Sequence, residues 1–196
     1  MADGELPDDH GLLSEASPTL AHRILKAMVD VGLVGHIVST NMDGLFVRCG
    51  VPMEKLSELH GSCFREYCVD CNRQYWRPFD TLTTREARWT HLTCRVCDSC
   101  GGDLRDSIVH FTEPWTFEEE MRRGLLACYN AKLALVVGTS MLVQPSCAFP
   151  RKAEKMVLVN LQRTPVDDRC EEKVYCESDM FFQLLAKHFP NLKIGT

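Results

Sequence analysis

The sequence predicts an α/β fold, a mostly parallel sheet flanked by helices and interrupted by a small metal-binding module. Three observations carry this. Short apolar runs alternate with stretches of helical periodicity, the pattern of strands joined by helical crossovers. The run Leu133-Ala134-Leu135-Val136-Val137 is apolar throughout, as a strand buried on both faces requires. Between Ser62 and Asp106 the composition shifts to Cys, Arg and aromatic residues and long apolar runs disappear.

Residues 1–16 are rich in Asp, Glu, Gly and Pro without periodicity, and are expected to be a flexible lead-in. Ser17-Pro18 predicts a helix start, with Ser as N-cap and Pro at the first helical position. Leu20, Ile24, Leu25, Met28 and Val29 then recur at helical spacing, and Gly32 marks the end. Gly35-His36-Ile37-Val38 reads as a short buried strand running into a polar cluster, Ser39 to Gly44. A short helical stretch leads from there to His60, between Leu59 and Gly61. Ser107-Ile108-Val109-His110-Phe111 is expected to be a strand returning to the main domain. Thr116 and Glu119 form a capping box that opens a helix through about Ala131. Met156-Val157-Leu158-Val159 is a further strand, and Ser178 to about His188 a last helix with Phe181, Leu184, Leu185 and His188 on one side. The expected division is therefore a sheet domain over 17–61 and 107–196, with a metal module over 62–106.

A chain of 196 residues can bury one sizeable core and still carry a smaller module. Apolar and charged contents of 45% and 25% are those of an ordinary globular protein. The net charge of −5 argues weakly against a dominant phosphate-binding surface; local basic patches are compatible with it, and no nucleic-acid footprint is expected. No apolar run approaches a membrane span, and Met1 to Glu5 lacks the regions of a secretory signal. Eleven cysteines, an odd number, fit thiolates committed to a metal better than a disulfide framework. Cys128 and Cys147, in apolar surroundings, read as buried small hydrophobes.

Two Cys-x-x-Cys knuckles supply the four tetrahedral ligands that zinc needs. Cys68 and Cys71 form the first. The second is drawn from Cys94, Cys97 and Cys100; the flexible Gly101-Gly102 turn favours Cys97 and Cys100, with Cys94/Cys97 the alternative. Four thiolates leave no open position, so the expected site is structural.

Strand ends carry the remaining chemistry. Asn41 and Asp43, then Gly138, Thr139 and Ser140, then Asn160 and Gln162, each follow an apolar run. Ligands of open α/β sheets bind outside the carboxyl ends of strands, which suggests a nucleotide or sugar there. His60 returning near Asn41 and Asp43 could complete a polar reaction centre, although the same residues also suit an ordinary turn. Neither G-x-G-x-x-G nor G-x-x-x-x-G-K-[ST] occurs.

Taken in order, Thr40-Asn41-Met42-Asp43-Gly44-Leu45, Glu58-Leu59-His60-Gly61, the paired knuckles, Leu104-Arg105-Asp106, Ile108-Val109-His110-Phe111, Gly138-Thr139-Ser140 and Val159-Asn160-Leu161-Gln162 resemble the sirtuins. These are NAD-dependent protein-lysine deacylases, and the resemblance covers roughly Pro18 to Phe189. The run from Arg105 to Phe111 is most similar to the nuclear, chromatin-associated branch of animal members. The resemblance implies a Rossmann-like domain with an inserted zinc module, NAD+ as co-substrate and structural Zn2+. It also implies transfer of the acyl group from a protein lysine, a histone lysine being one candidate, to ADP-ribose, with nuclear localisation.

By the same resemblance His60 is the general base, Asn41 positions the ribose and a water, and Asp43 holds the nicotinamide carboxamide beside the backbone of Met42. Gly138, Thr139 and Ser140 contact the nucleotide and Asn160 the adenosine ribose, with Leu161, Gln162 and Cys176 at the same end. His110 and Phe111 line the acyl-lysine channel. Several positions depart from the family. Its first strand, Gly-Ala-Gly-x-Ser turn and arginine-bearing loop are missing, so the sheet is expected to be incomplete. Thr40 stands where Gln is usual, Phe46 where His is, and Thr112 where Gly is. A zinc-stabilised interaction module without chemistry of its own is the alternative reading.

Overall fold

The computed structural model of the chain describes residues 13, 15–82, 90–111, 113–114 and 117–195. The lead-in expected over 1–16 and the capping residue Thr116 lie wholly or mostly outside them, as does Thr112. The described residues belong to two compact units: Met1–Ser17, Asn41–Gly44 and His60–Thr116 in one, and Pro18–Thr40, Leu45–Leu59 and Phe117–Thr196 in the other.

In the second unit, helix α1 (Leu20–Asp30) buries Ala21, Ile24 and Met28 against Phe182 of a helix near the C-terminus, Ser178–Ala186. It starts at Leu20, not at the expected Pro18. The reason lies far away in sequence: the Asp179 carboxylate accepts the Ala21 N–H at 2.8 Å and the Thr19 hydroxyl at 2.9 Å. That carboxylate satisfies orphan donors of the first turn and complements the helix dipole. Gly32, at φ +76°, ends the helix in the left-handed conformation.

Strand β1 (Ile37–Ser39) pairs in parallel with β2 (Leu56–Glu58), Ile37 opposite Leu56 and Ser39 opposite Glu58. Between them lies a short helix, α2 (Leu45–Arg48). Ile37 and Leu56 pack with Val29 and Val51 in a core of their own. His60 therefore follows a strand, preceded by one 3-10 turn at Met53–Lys55, where a helical stretch was expected. A strand of three residues is too short to show a period.

The unit continues through strands β7 (Leu133–Val137), β8 (Lys155–Val159) and β9 (Glu172–Val174), once the four strands of the other unit are counted as β3 to β6. All three run parallel in that order, with Val137 opposite Val159 and Val159 opposite Val174. Val136 joins Met156, Leu158 and Val166 on one face, while Leu135 and Val137 join the α1 cluster on the other. Leu133 is 53% exposed, however, and of the five residues only Val136 is buried, so the expected burial on both faces is met on one face and only half met on the other. Among the described residues β7 has a strand neighbour on one side only. Helix α3 (Glu118–Tyr129) opens with three glutamates at its positive end. It holds β2: the Glu120 carboxylate accepts the Glu58 N–H at 3.2 Å, and Arg123 donates to the Leu56 carbonyl at 3.0 Å. Helix α4 is the C-terminal Ser178–Ala186. No helix among the described residues is long and apolar enough to cross a membrane.

In the first unit, β3 (Arg65–Cys68), β4 (Gln74–Trp76), β5 (Leu92–Val96) and β6 (Asp103–Asp106) form an antiparallel sheet in the order β4-β3-β6-β5. The strand expected at Ser107–Phe111 is not part of it. The Ser107 N–H still donates to the Arg65 carbonyl of β3 at 3.0 Å, and the groups that follow go elsewhere. The Ser62 N–H donates to Ser107 Oγ at 2.9 Å, and Ser107 Oγ donates to the Ser62 carbonyl at 3.0 Å. The Ile108 N–H donates to Asp106 Oδ1 at 2.8 Å and the Val109 N–H to the His60 carbonyl at 3.1 Å.

Gly61 makes this crossing possible. Its φ is +79°, and a Cβ there would lie 1.9 Å from the Ser107 carbonyl oxygen. Left-handed φ alone costs a non-glycine residue roughly 1–2 kcal/mol, and here the backbone must also move. Gly61→Ala is therefore expected to lower Tm by roughly 5 °C or more in calorimetry, at roughly 2–4 °C per kcal/mol for a chain of this size. Gly35→Ala, whose Cβ meets nothing within 4 Å, is the control and should leave Tm nearly unchanged.

Candidate functional site

The first unit is organised around four thiols. Cys68 ends β3 and Cys71 lies in the turn to β4; Cys97 follows β5 and Cys100 lies in the turn to β6. The two knuckles share one backbone geometry. The Cys68 N–H donates to Arg73 O and the Asn72 N–H to Cys68 O, both at 3.0 Å; the Cys97 N–H donates to Gly102 O at 2.8 Å and the Gly101 N–H to Cys97 O at 2.9 Å. The residue after each second cysteine is left-handed, Asn72 at φ 57° and Gly101 at φ 77°. Gly102 is needed for a different reason, because a Cβ there would lie 2.2 Å from Asp70 Oδ2 and 3.1 Å from Cys68 Sγ.

The four Sγ atoms all lie within 4.8 Å of one another. Cys68 and Cys100 approach to 3.4 Å and Cys71 and Cys97 to 3.6 Å. Sulfurs bound tetrahedrally to zinc at about 2.3 Å are roughly 3.8 Å apart, so the donor set fits zinc in number, chemistry and spacing. Tyr75 adds a donor the sequence did not single out: its hydroxyl is 3.1 Å from Cys97 Sγ and accepts the Asp98 N–H at 3.1 Å. That hydroxyl holds the Cys97 thiol down to about 6, while the crowding of the other sulfurs pushes Cys100 up to about 12; the thiols share protons unevenly, and the thiolate form is the one a metal requires. Cys94, in β5, is outside the cluster.

Beside the thiols the sheet has a polar core. Glu66 is fully buried. Burial alone would raise its carboxyl, but the Thr93 hydroxyl and the guanidinium groups of Arg77 and Arg95 hold it below the usual range. The Arg77 and Arg95 cations also stack over Tyr75 and Phe79, at 4.8 and 5.2 Å.

The expected reaction residues Asn41, Met42, Asp43, His60, His110 and Phe111 all belong to this unit. The Cys63 N–H donates to the Met42 carbonyl at 2.8 Å, tying the Asn41–Gly44 loop to the start of the sheet. Gly44, at φ +62°, passes so close to Phe64 that a Cβ would be 3.0 Å from the ring. His60 is half-buried, held through its carbonyl by Val109; Asn41 and His110 are exposed, and Phe111 is 84% exposed.

The expected nucleotide residues, and Thr40, belong to the second unit. Gly138–Ser140, Asn160–Gln162 and Cys176 follow the carboxyl ends of β7, β8 and β9, and those strands are adjacent and parallel. Gly138, at φ +61°, has open space where a side chain would stand. The Thr139 hydroxyl accepts the Met141 N–H at 3.3 Å, and the Asn160 side-chain amide donates to the Gln162 carbonyl at 2.9 Å. Such an edge presents polar groups outside the carboxyl ends of three strands, the place where open α/β sheets take ligands.

A family model described as "Sir2 family" matches residues 9–145. The chain belongs to the Sir2 family. It is 40% identical over 184 residues to the bovine (Bos taurus) "NAD-dependent protein deacetylase sirtuin-7" and 41% identical over 184 residues to the mouse (Mus musculus) protein of that name. Each alignment takes in 88% of this chain and 46% of the relative, so the chain spans about half the length of these relatives. A solved structure titled "Sir2-p53 peptide-NAD+" superposes with a TM-score of 0.73 at 28% identity, covering 92% of this chain and 73% of that one. The parallel strands thus belong to the family's Rossmann-like α/β fold, and the cysteine cluster is one that could hold its structural zinc.

Replacing Cys68 and Cys71 together by Ser should release zinc and unfold the β3–β6 sheet, because structural zinc supplies folding energy directly. Metal analysis should fall from one zinc per chain to none, with loss of near-ultraviolet circular dichroism. Unchanged zinc content would contradict the four-thiol site.

Proposed function

We propose that this chain acts as an NAD-dependent protein-lysine deacylase, moving the acyl group of an acylated lysine to ADP-ribose with release of nicotinamide. The observation that carries the reading is the joining of the Asn41–Gly44 loop and the His60–Ser62 segment within one unit, in a chain of this family. NAD supplies the ribose that accepts the acyl group, and nicotinamide as leaving group. His60, as neutral imidazole, takes a proton from a ribose hydroxyl, work suited to a group that titrates near neutral pH. Asn41 orients ribose and water, and Asp43 binds the carboxamide with the Met42 backbone. Thr40 borders that pocket. Gly138, Thr139, Ser140, Asn160, Leu161, Gln162 and Cys176 hold the nucleotide. His110 and Phe111 contact the acyl-lysine peptide, a role supported by their exposure.

A peptide-bound Sir2 structure among the similar folds supports a protein substrate. Histone lysines and a nuclear setting are the finer part of the reading, supported by the likeness of the Arg105–Phe111 run to the chromatin-associated branch.

The test is mass spectrometry for 2′-O-acetyl-ADP-ribose after incubating the zinc-loaded chain with NAD and an acetyl-lysine peptide. His60→Tyr should reduce product at least about 100-fold, the scale of general-base catalysis, with zinc content unchanged. Turnover retained in His60→Tyr would assign the base elsewhere. No product from the folded, zinc-loaded chain would favour the interaction-module alternative.

A further inference from the structure

His91 stands outside every site described so far, yet it is among the most heavily bonded side chains of its unit. It is only 5% exposed and has φ +62°, a conformation rarely kept by a non-glycine residue unless its surroundings impose it. Its Nδ1 lies 3.1 Å from both carboxylate oxygens of Asp106, and its Nε2 lies 3.0 Å from Glu113 Oε1. Both ring nitrogens thus face carboxylates, which only accept when ionised. A neutral imidazole has one N–H and can serve only one of them; an imidazolium serves both.

What the two carboxylates hold is the segment between them. Asp106 Oδ1 also accepts the Ile108 N–H at 2.8 Å, and Glu113 Oε2 accepts the His110 N–H at 2.9 Å. The intervening Val109 N–H donates to the His60 carbonyl, and the His110 ring lies 4.8 Å from the His91 ring. From β5's start, His91 therefore clamps both ends of the segment that carries His110 and Phe111 and that borders His60.

We propose that His91, as an imidazolium bridging Asp106 and Glu113, is the positioning residue that fixes the 107–111 segment for the acyl-lysine peptide. The proposal deepens the deacylase reading and rests on it for the peptide, though not for the clamp. The Asp106 and Glu113 carboxyls face the ring; burial pushes Asp106 above the usual carboxylate value, against the lowering by its bonds to His91 and the Ile108 N–H. His110 is the titratable group packed against it, its ring tilted by 42°, and the nearby Arg105 guanidinium donates to the Thr90 carbonyl at 3.4 Å. Burial favours the neutral ring, but the bonds to Asp106 and Glu113 outweigh it and hold His91 above the ordinary histidine value. Burial likewise would raise Glu113, but the His110 N–H and His91 keep it below the usual carboxylate range. The sign follows: the clamp is complete below the ordinary histidine pKa and is lost as pH rises through the raised value of His91.

The experiment combines nitrogen-15 NMR of the zinc-loaded chain with binding of a fluorescent acetyl-lysine peptide, for the wild type and His91→Gln. At pH 6 both His91 ring nitrogens should be protonated, with a titration midpoint above the roughly 6.5 of a free histidine. In His91→Gln the Ile108 and His110 amides should exchange roughly tenfold faster, the scale of losing one charge-assisted hydrogen bond, while zinc stays bound. Peptide affinity should fall about as much, and the wild type should weaken with pH through the His91 midpoint, a transition the variant should lack. Should His91→Gln not fold, Glu113→Ala, whose side chain is 37% exposed, should speed exchange at His110 in the same way. A neutral ring at pH 6, or unchanged exchange in the folded variant, overturns the proposal. If the wild type binds no peptide, the deacylase reading fails separately; the exchange rates still decide the clamp.

Discussion

Convergence of four cysteine sulfurs is the constraint on which the first unit depends. Its sheet has little apolar interior: beyond Cys68, Cys97 and Leu104, with Tyr75 against them, the central positions are polar. Glu66, Arg65, Thr93 and Asp106 are all buried there. Removing such charges from water is costly, and a buried ion pair at best roughly offsets that cost. The unit's other apolar cluster, Cys63, Phe64 and Ile108, is small, so metal–thiolate bonds at the four cysteines would be the larger favourable contribution, since zinc binding is folding free energy in small modules. The site loops hang from this frame. Cys63, just before β3, holds the Met42 carbonyl, while Ser107 and Val109, just after β6, hold Ser62 and His60.

The second unit solves a different problem. Parallel strands need crossovers, and crossovers leave the carboxyl ends of β7, β8 and β9 together with their polar turns. Gly138, Asn160 and Cys176 stand at that edge by topology, and the ladder carries on to it: the Gly138 N–H donates to the Val159 carbonyl at 2.9 Å and the Asn160 N–H to the Val174 carbonyl at 3.1 Å. The same unit uses long-range capping: Asp179 serves the first turn of the helix that begins at Leu20, and the Thr19 hydroxyl it accepts is 160 residues away in the chain.

How much of this could be read from residues alone follows from the range of each interaction. Leu133–Val137 and Met156–Val159 were legible because five or so consecutive apolar residues leave few alternatives to a buried strand. The knuckles were legible because their spacing is local. The choice of Cys100 over Cys94 has a local signal as well. A left-handed residue must follow the second cysteine, and Asn72 and Gly101 are residues that tolerate it. By contrast β2 is three residues long, and Ser107–Phe111 is apolar and β-branched enough to read as a strand although beyond Ser107, which still bonds β3, its N–H groups go to side chains and loops. His91 offered no signal; a lone histidine acquires meaning only when the fold brings Asp106 and Glu113 to its two nitrogens.

X-ray absorption at the zinc K edge of the purified chain tests the central claim most directly. Four sulfur neighbours at about 2.3 Å are expected, with no nitrogen or oxygen in the first shell. Fewer than four sulfurs, or zinc bound through oxygen or nitrogen, would contradict a first unit built on Cys68, Cys71, Cys97 and Cys100.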